Sequence, residues 1–381
     1  MEQARLNAVF ARGGTSNSVI VNGADLPADR AVRDRIFLHV LGSPDAYGRQ
    51  LNGMGGGISS LSKIVIVEIS DHPDAEVDYT FVQVAVDKPV ADYGAMCGNM
   101  ASSVGAFAVD EGLVSVADGM ATVRVQNTNT QKLFHAHFEV RDGRAVELGD
   151  FSIPGVSGAG AKIKLDFLEP GGASTGELLP SGQATQMLDV PGEGVFEVSL
   201  VDASNPLVFV KAEDFGCTAM ELPADLDADQ ALMARLDRVR RAGGVAMGMA
   251  DSPEAVALSN PRIALVAAPD TFTALDGRSY EAADYDIAVR MISMGNFHRA
   301  ITLTGAMCVA VAAGIPGSLV QRIVSAEGAF EVGNPSGVLP VQADVREVDG
   351  AVTAVSATTF RTQRRIMEGQ VLYPAHFLTD D

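Results

Sequence analysis

Two side chains in this sequence combine proton-transfer reactivity with a suggestive local setting, Cys97 and Lys63. Cys97 lies in ADYGAMCGNMASSVGAFAVDEGL, residues 91–113, where Gly94 and the Gly98-Asn99 pair mark a turn. After the turn, Met100, Val104, Phe107, Ala108 and Val109 recur at roughly helical spacing until Gly112 closes the run. The thiol therefore stands at a helix entry, where unpaired N–H groups and the positive end of the macrodipole favour an anion. A small buried hydrophobe at a helix start accounts for the same residues. Lys63 follows LNGMGGGISSLS, a glycine loop carrying Ser59, Ser60 and Ser62, and opens the β-branched strand KIVIVEI. Such a lysine can rest its stem on apolar surface, keep its ammonium near a pocket and titrate. The other reading is a strand-edge lysine pointing to water.

A third polar feature, Arg12-Gly13-Gly14-Thr15-Ser16-Asn17, joins probable strands at residues 6–11 and 18–21. It can offer backbone N–H groups to a carboxylate, or serve as a plain hairpin turn. No Gly-Lys-Ser/Thr follows at Walker spacing, and the glycine loop at 53–57 lacks the context of a dinucleotide fingerprint. His135 and His137 share a strand face, but no Cys, Asp or Glu partner stands at ligand spacing. Neither a metal nor a cofactor is expected.

The elements that must position these groups follow from periodicity. Residues 29–41 read as a helix, and 79–86 as the alternating strand that delivers the chain to the Cys97 turn. Short strands are expected at 121–127, 133–140 and 145–151, with Asp142-Gly143 turning between the last two. A surface loop at 169–180 leads into a polar, glycine-rich stretch ending near Gly194, where a domain boundary is placed. The second half then repeats the first. Ser204-Asn205-Pro206-Leu207-Val208 echoes Ser16-Asn17-Ser18-Val19-Ile20, and Thr302-Leu303-Thr304-Gly305-Ala306 enters an apolar helix to Ala313 much as Cys97-Gly98-Asn99-Met100-Ala101 enters its own. Echoes in the same order and at similar separations point to duplication. The expected organisation is an α/β protein with pseudo-symmetric domains at 1–190 and 191–365, and a C-terminal strand, about 366–381, returning to the first. Between the echoes, residues 227–242 form a charged helix with Leu232, Leu236 and Val239 on one stripe. The turn Gly333-Asn334-Pro335-Ser336-Gly337 precedes strands around Asp349-Gly350 and a last strand at 366–372.

Composition limits the function classes. The chain has 381 residues, 47% hydrophobic and 20% charged, enough for two globular domains. Its longest apolar run, 303–315, is too short to span a bilayer, and the N-terminus lacks a basic region followed by an apolar core, so a cytoplasmic protein is expected. Three widely spaced cysteines do not make a disulfide framework or a cysteine-cluster metal site. A net charge of −20 repels nucleic acid and anionic membranes. The remaining partner class is a small molecule, and a homodimer is left open.

Taken together, Arg12-Gly13-Gly14-Thr15-Ser16, Gly55-Gly56-Gly57 leading to Ser62-Lys63, Cys97-Gly98-Asn99, Pro170-Gly171-Gly172-Ala173 with Thr175-Gly176, His298-Arg299-Ala300 with Thr304-Gly305-Ala306, and Ile315-Pro316-Gly317 resemble the PrpF family. That family includes 2-methylaconitate cis-trans isomerases and 4-oxalomesaconate tautomerases. The resemblance spans nearly the whole chain and implies the diaminopimelate epimerase-like fold, two similar α/β domains each wrapping a curved sheet around a central helix, with the active site in the cleft between them. Epimerases of this fold carry a cysteine at each central-helix entry; here Cys97 matches the first and Thr302 stands at the second. Cys308 reads as core.

The resemblance thus implies an isomerase with Cys97 and Lys63 as its acid–base pair, acting at two carbons of an allylic system in an unsaturated di- or tricarboxylate, without metal or redox cofactor. Gly98, Asn99, Thr304 and Gly305 at the helix entries, with Thr15, Ser16, Asn17, Ser59, His298 and Ser336, are the candidate carboxylate contacts. Asn17 stands where the family often has lysine. A non-catalytic dicarboxylate binder, or a partner assisting an aconitase-like enzyme, is the alternative class.

Overall fold

The computed structural model describes residues 2–94, 96–324, 328–348 and 350–378. The chain divides into two compact units, Met1–Phe167 with Phe360–Asp381, and Leu168–Thr359. In the first unit, β1 (Gln3–Gly13) and β2 (Ser16–Asn22) form a hairpin, and α1 (Arg30–Leu41) crosses over to β3 (Lys63–Ile69). β4 (Val77–Val84) and the short β5 (Ala91–Asp92) lead to α2 (Ala101–Asp110), followed by β6 (Gly119–Asn127), β7 (Lys132–Arg141), β8 (Arg144–Ala145) and β9 (Ile163–Leu168). Asp29 caps α1 by accepting from Ala31 N and Val32 N, and Gly42 ends it at φ 75°.

The second unit runs β10 (Gln186–Val190), β11 (Gly194–Ala203), β12 (Asn205–Lys211), α3 (Pro223–Ala228), α4 (Gln230–Ala246), β13 (Arg262–Ala267), β14 (Phe272–Thr273), β15 (Ser279–Tyr280), β16 (Ile287–Ser293) and β17 (Asn296–Phe297). It continues through α5 (Leu303–Ala313), β18 (Phe330–Asn334), β19 (Gly337–Val348) and β20 (Ala351–Arg361), before β21 (Gln363–Pro374) joins the first unit.

The pairings reveal the duplication. In the first unit the order is β21-β1-β2-β3-β4-β6-β7-β9, antiparallel except for β2 with β3 and β4 with β6. The second unit has β10-β11-β12-β13-β16-β18-β19-β20, with parallel pairs at the corresponding places, β12 with β13 and β16 with β18. Helices cross over each parallel step, α1 and α2 in the first unit, α3 with α4 and then α5 in the second, since parallel neighbours need a long connection. α1 and α4 bury one stripe each, whereas α2 is buried from Ala101 to Val109 and α5 from Gly305 to Ala312. Each unit is thus a mixed sheet with one helix almost wholly inside, the α/β plan that the resemblance implies for each domain. Gly105 permits that packing in the first unit, because a Cβ there would meet Phe138 Cε1 at 2.7 Å.

Three local expectations change. Of the strand expected at 145–151 only Ala145 lies in one, the two-residue β8; further on, Glu147 O accepts from Ala161 N, and Phe151 bridges Gly160. The helix expected at 227–242 is two, broken at Asp229, whose side chain caps the second by accepting from Ala231 N and Leu232 N. The glycine-rich stretch before Gly194 lies inside the second unit and supplies β10. Asp349 of the Asp349-Gly350 turn, Ala95 of the Cys97 stretch and residues 379–381 lie outside the described residues.

Candidate active site

Cys97 closes the turn that feeds α2. Its carbonyl accepts from Ala101 N at 3.1 Å and from the Tyr79 hydroxyl at 2.9 Å. Burial first, and then the Cys97 charge, hold the Tyr79 hydroxyl far above its ordinary pKa, so it stays a donor to that carbonyl. The thiol is half-buried. Gly98 and Asn99 follow it, and the Asn99 amide donates from Nδ2 to Thr15 Oγ1 at 3.0 Å, which brings the Arg12–Asn17 hairpin onto the Cys97 turn. Thr15 is exposed at the hairpin tip, Ser16 is buried and Asn17 half-buried.

Lys63 is only 7% exposed. It sits directly across the ladder from Gln83, and its Nζ donates to Gln83 Oε1 at 2.7 Å while lying 4.8 Å from the Phe81 ring centroid. Gln83 Nε2 donates to Ser62 O and Ser59 O, so one amide fixes both the lysine and the loop carrying the exposed Ser59. Burial lowers the Lys63 pKa, and the nearby Cys97 charge opposes that shift. A desolvated amine that feels a nearby thiol has the properties an acid–base pair would need. Gln83 and Tyr79 were not foreseen from the sequence; Gln83 follows only once the β3–β4 register is known.

The second unit carries a different set at the equivalent positions. Ala306 N donates to Thr302 O at 2.8 Å, as Ala101 N does to Cys97 O, which makes Thr302 the counterpart of Cys97. Thr302 is a helix cap: its Oγ1 accepts from Gly305 N at 3.1 Å and from Arg262 Nη1 at 2.6 Å. Arg262 in turn is the counterpart of Lys63. Each opens its strand one residue before an isoleucine that pairs with the parallel neighbour, Ile64 with Val19 and Ile263 with Val208, and that packs toward the outer helix. Arg262 also donates to Thr304 Oγ1 at 3.2 Å, and burial lowers its pKa. Sequence comparison of the halves missed Arg262, because Pro261-Arg262 and Ser62-Lys63 do not look alike.

The other expected contacts of this unit are engaged with their own loops. The Gly305 N–H is taken by Thr302, and Ser336 Oγ donates to Arg299 O at 2.6 Å. His298 Nδ1 lies 2.9 Å from Ala300 O and 3.1 Å from Ala300 N, and burial lowers its pKa. His135 and His137 serve structure: His137 Nε2 meets Asp166 at 2.9 Å and its Nδ1 meets Thr122 at 2.8 Å.

The PrpF protein model matches residues 3–374. The chain belongs to the PrpF family. It is 38% identical to the 2-methyl-aconitate isomerase of Shewanella oneidensis, over 98% of this chain and 98% of that one. Identity to the 4-oxalomesaconate tautomerase of Pseudomonas putida is 36%, over 97% of each. A crystal structure of a methylitaconate-delta-isomerase matches with TM-score 0.93 at 37% identity, covering 100% of this chain and 98% of that one. With such relatives over almost its full length, this PrpF-family chain is an isomerase. Among the described residues, no helix is long and apolar enough to cross a membrane.

The three thiols of this PrpF-family protein should react unequally. Cys308 is fully buried, its thiol pushed far up by burial and donating to Val201 O at 3.5 Å. Burial, then Glu221, pushes Cys217 up to about 11, leaving roughly 0.1% thiolate at pH 8. Iodoacetamide at that pH is expected to modify Cys97 first, read by peptide mass spectrometry. Labelling of Cys217 at an equal rate would contradict this ordering.

Proposed function

We propose that this isomerase shifts a proton across an allylic unit of an unsaturated di- or tricarboxylate, with Cys97 and Lys63 as its acid–base pair. The observation that supports the reading is a buried Lys63, 7% exposed and held by Gln83, whose pKa burial lowers while the nearby Cys97 charge opposes the shift, in a fold whose second helix entry holds the capping hydroxyl of Thr302 instead of a thiol. Removing a proton from the carbon next to a C=C–COO⁻ group leaves a dienolate whose charge spreads onto the carboxylate. Returning a proton at the far end of the three-carbon unit completes the shift, and no atom or electron is gained or lost. If the intermediate rotates about the former double bond before the proton returns, the outcome is cis-trans isomerisation. Thiolate with ammonium, and thiol with amine, hold the same number of protons, and each supplies one base and one acid.

In the first unit the substrate carboxylates are assigned to Thr15, Ser16, Asn17, Ser59 and the backbone N–H groups of Gly98 and Asn99, the Asn99 side chain being engaged with Thr15 and Arg361. Within the second unit taken by itself, Thr304 with Arg262 is the set best suited to a carboxylate, because a guanidinium matches it in charge and shape; Gly305, His298 and Ser336 remain its other proposed contacts. 2-Methylaconitate and 4-oxalomesaconate, the compounds named for the relatives, are the substrates to try. Purified protein incubated with each in deuterium oxide should place deuterium on the allylic unit, at both ends for a 1,3-shift and at the deprotonated carbon alone for rotation and return, followed by proton NMR. A protein that only binds these acids would incorporate none.

A further inference from the structure

We propose that Arg361 is a positioning residue, acting through Asn99 to leave the Thr15 hydroxyl as a committed donor to a substrate carboxylate. The inference rests on the isomerase reading above and deepens it.

Arg361 ends β20 within the first unit and is only 6% exposed, yet no ion pair to an acidic side chain reaches it among the described residues. Burying a guanidinium is costly, and its visible hydrogen bonds are to Asn99 Oδ1 from Nε at 3.2 Å and to Phe360 O from Nη1 at 2.8 Å. A guanidinium can only donate. The Asn99 amide must therefore turn its oxygen to Arg361, which points its Nδ2 at Thr15 Oγ1, 3.0 Å away. Thr15 then accepts from Asn99, and its single proton is left for another acceptor. Thr15 is exposed, and no acceptor for that proton is seen among the described residues. Each donor polarises the next, so the last hydroxyl is a stronger donor than an isolated threonine. Its partner by charge is an anion, here a carboxylate oxygen.

The hairpin is shaped for this relay. A Cβ on Gly14, whose φ is +53°, would lie 2.4 Å from Asn99 Oδ1, and one on Gly13 would lie 2.8 Å from the Asn99 carbonyl oxygen. The two glycines let the hairpin approach the Cys97-Gly98-Asn99 turn closely enough for the amide to reach Thr15. That gives a physical reason for these two motifs to occur together.

The test is a double-mutant cycle read in KM, with 2-methylaconitate and 4-oxalomesaconate as probes. Thr15→Val should raise KM about 10-fold or more, the cost of a hydrogen bond to a charged group, and Thr15→Ser should restore it. Asn99→Asp still accepts from Arg361 but cannot donate, so it claims the Thr15 proton; KM should rise by a similar factor in the wild-type background and change less than twofold in the Thr15→Val background. Arg361→Met, if it folds, should follow the same pattern. An equal rise in KM in both backgrounds is what a plain charge effect or loosened packing would produce, and it would overturn the relay. An unchanged KM in Asn99→Asp would overturn it too. Failure of the wild-type protein to turn over either probe would instead defeat the proposed substrates, and the relay to their carboxylates with them.

Discussion

Cys97→Ser is expected to lower turnover by about 10² to 10⁴-fold while the protein remains folded. Serine keeps the size of the side chain, and the turn is held by backbone groups that the change does not touch: Cys97 O accepts from Ala101 N and from the Tyr79 hydroxyl. What is lost is the thiol, intrinsically a stronger acid than the hydroxyl that replaces it. Initial rates and a thermal melt of the two proteins, measured side by side, check both halves of the expectation. Near wild-type turnover in the serine variant would remove Cys97 from the reaction. Cys308→Ser serves as a control, because that thiol is buried in α5 against Val201.

Lys63→Met should abolish isomerisation by a similar factor, yet leave slow hydrogen exchange at the carbon that Cys97 addresses alone. Methionine retains the apolar stem against the Phe81 ring and deletes the amine. Position-resolved deuterium incorporation separates the outcomes: exchange at both carbons at the wild-type rate would reduce Lys63 to a carboxylate contact, and His298 would be the next acid–base candidate. Stability supplies a second readout. Burial lowers the Lys63 pKa in the folded protein, so the unfolded chain binds more protons at this residue, and its contribution to stability rises with pH between the folded and unfolded values. Below the folded value the cost of the buried ammonium is fully present, and above the unfolded value it is gone. Denaturant midpoints of Lys63→Met should lack that rise, and the variant should be no less stable than wild type at neutral pH.

Much of the candidate site could be read along the chain because its parts are local. A turn before an apolar helix, a glycine loop before a β-branched strand and a Gly-Gly hairpin are each written in a dozen residues or fewer, and each appears where its pattern implies. The duplication was legible for the same reason, as two turn-to-strand and two turn-to-helix entries in the same order. The resemblance to a family added what no spacing could, the pairing of Cys97 with Lys63.

What the tertiary structure decided is which side chains face these groups. Gln83 meets Lys63 because β3 and β4 pair in one register, and a one-residue slip would have turned the glutamine to the other face. Asn99 meets Arg361 because the chain, after building a whole second unit, re-enters the first at Phe360. Arg262 becomes the counterpart of Lys63 only when both are seen to open a strand on the same face, although their neighbours in sequence differ. Side-chain periodicity and turn chemistry act over a few residues and so are determined by the sequence alone. Partners brought together by strand register and chain return depend on contacts between distant segments, and those exist only in the folded protein.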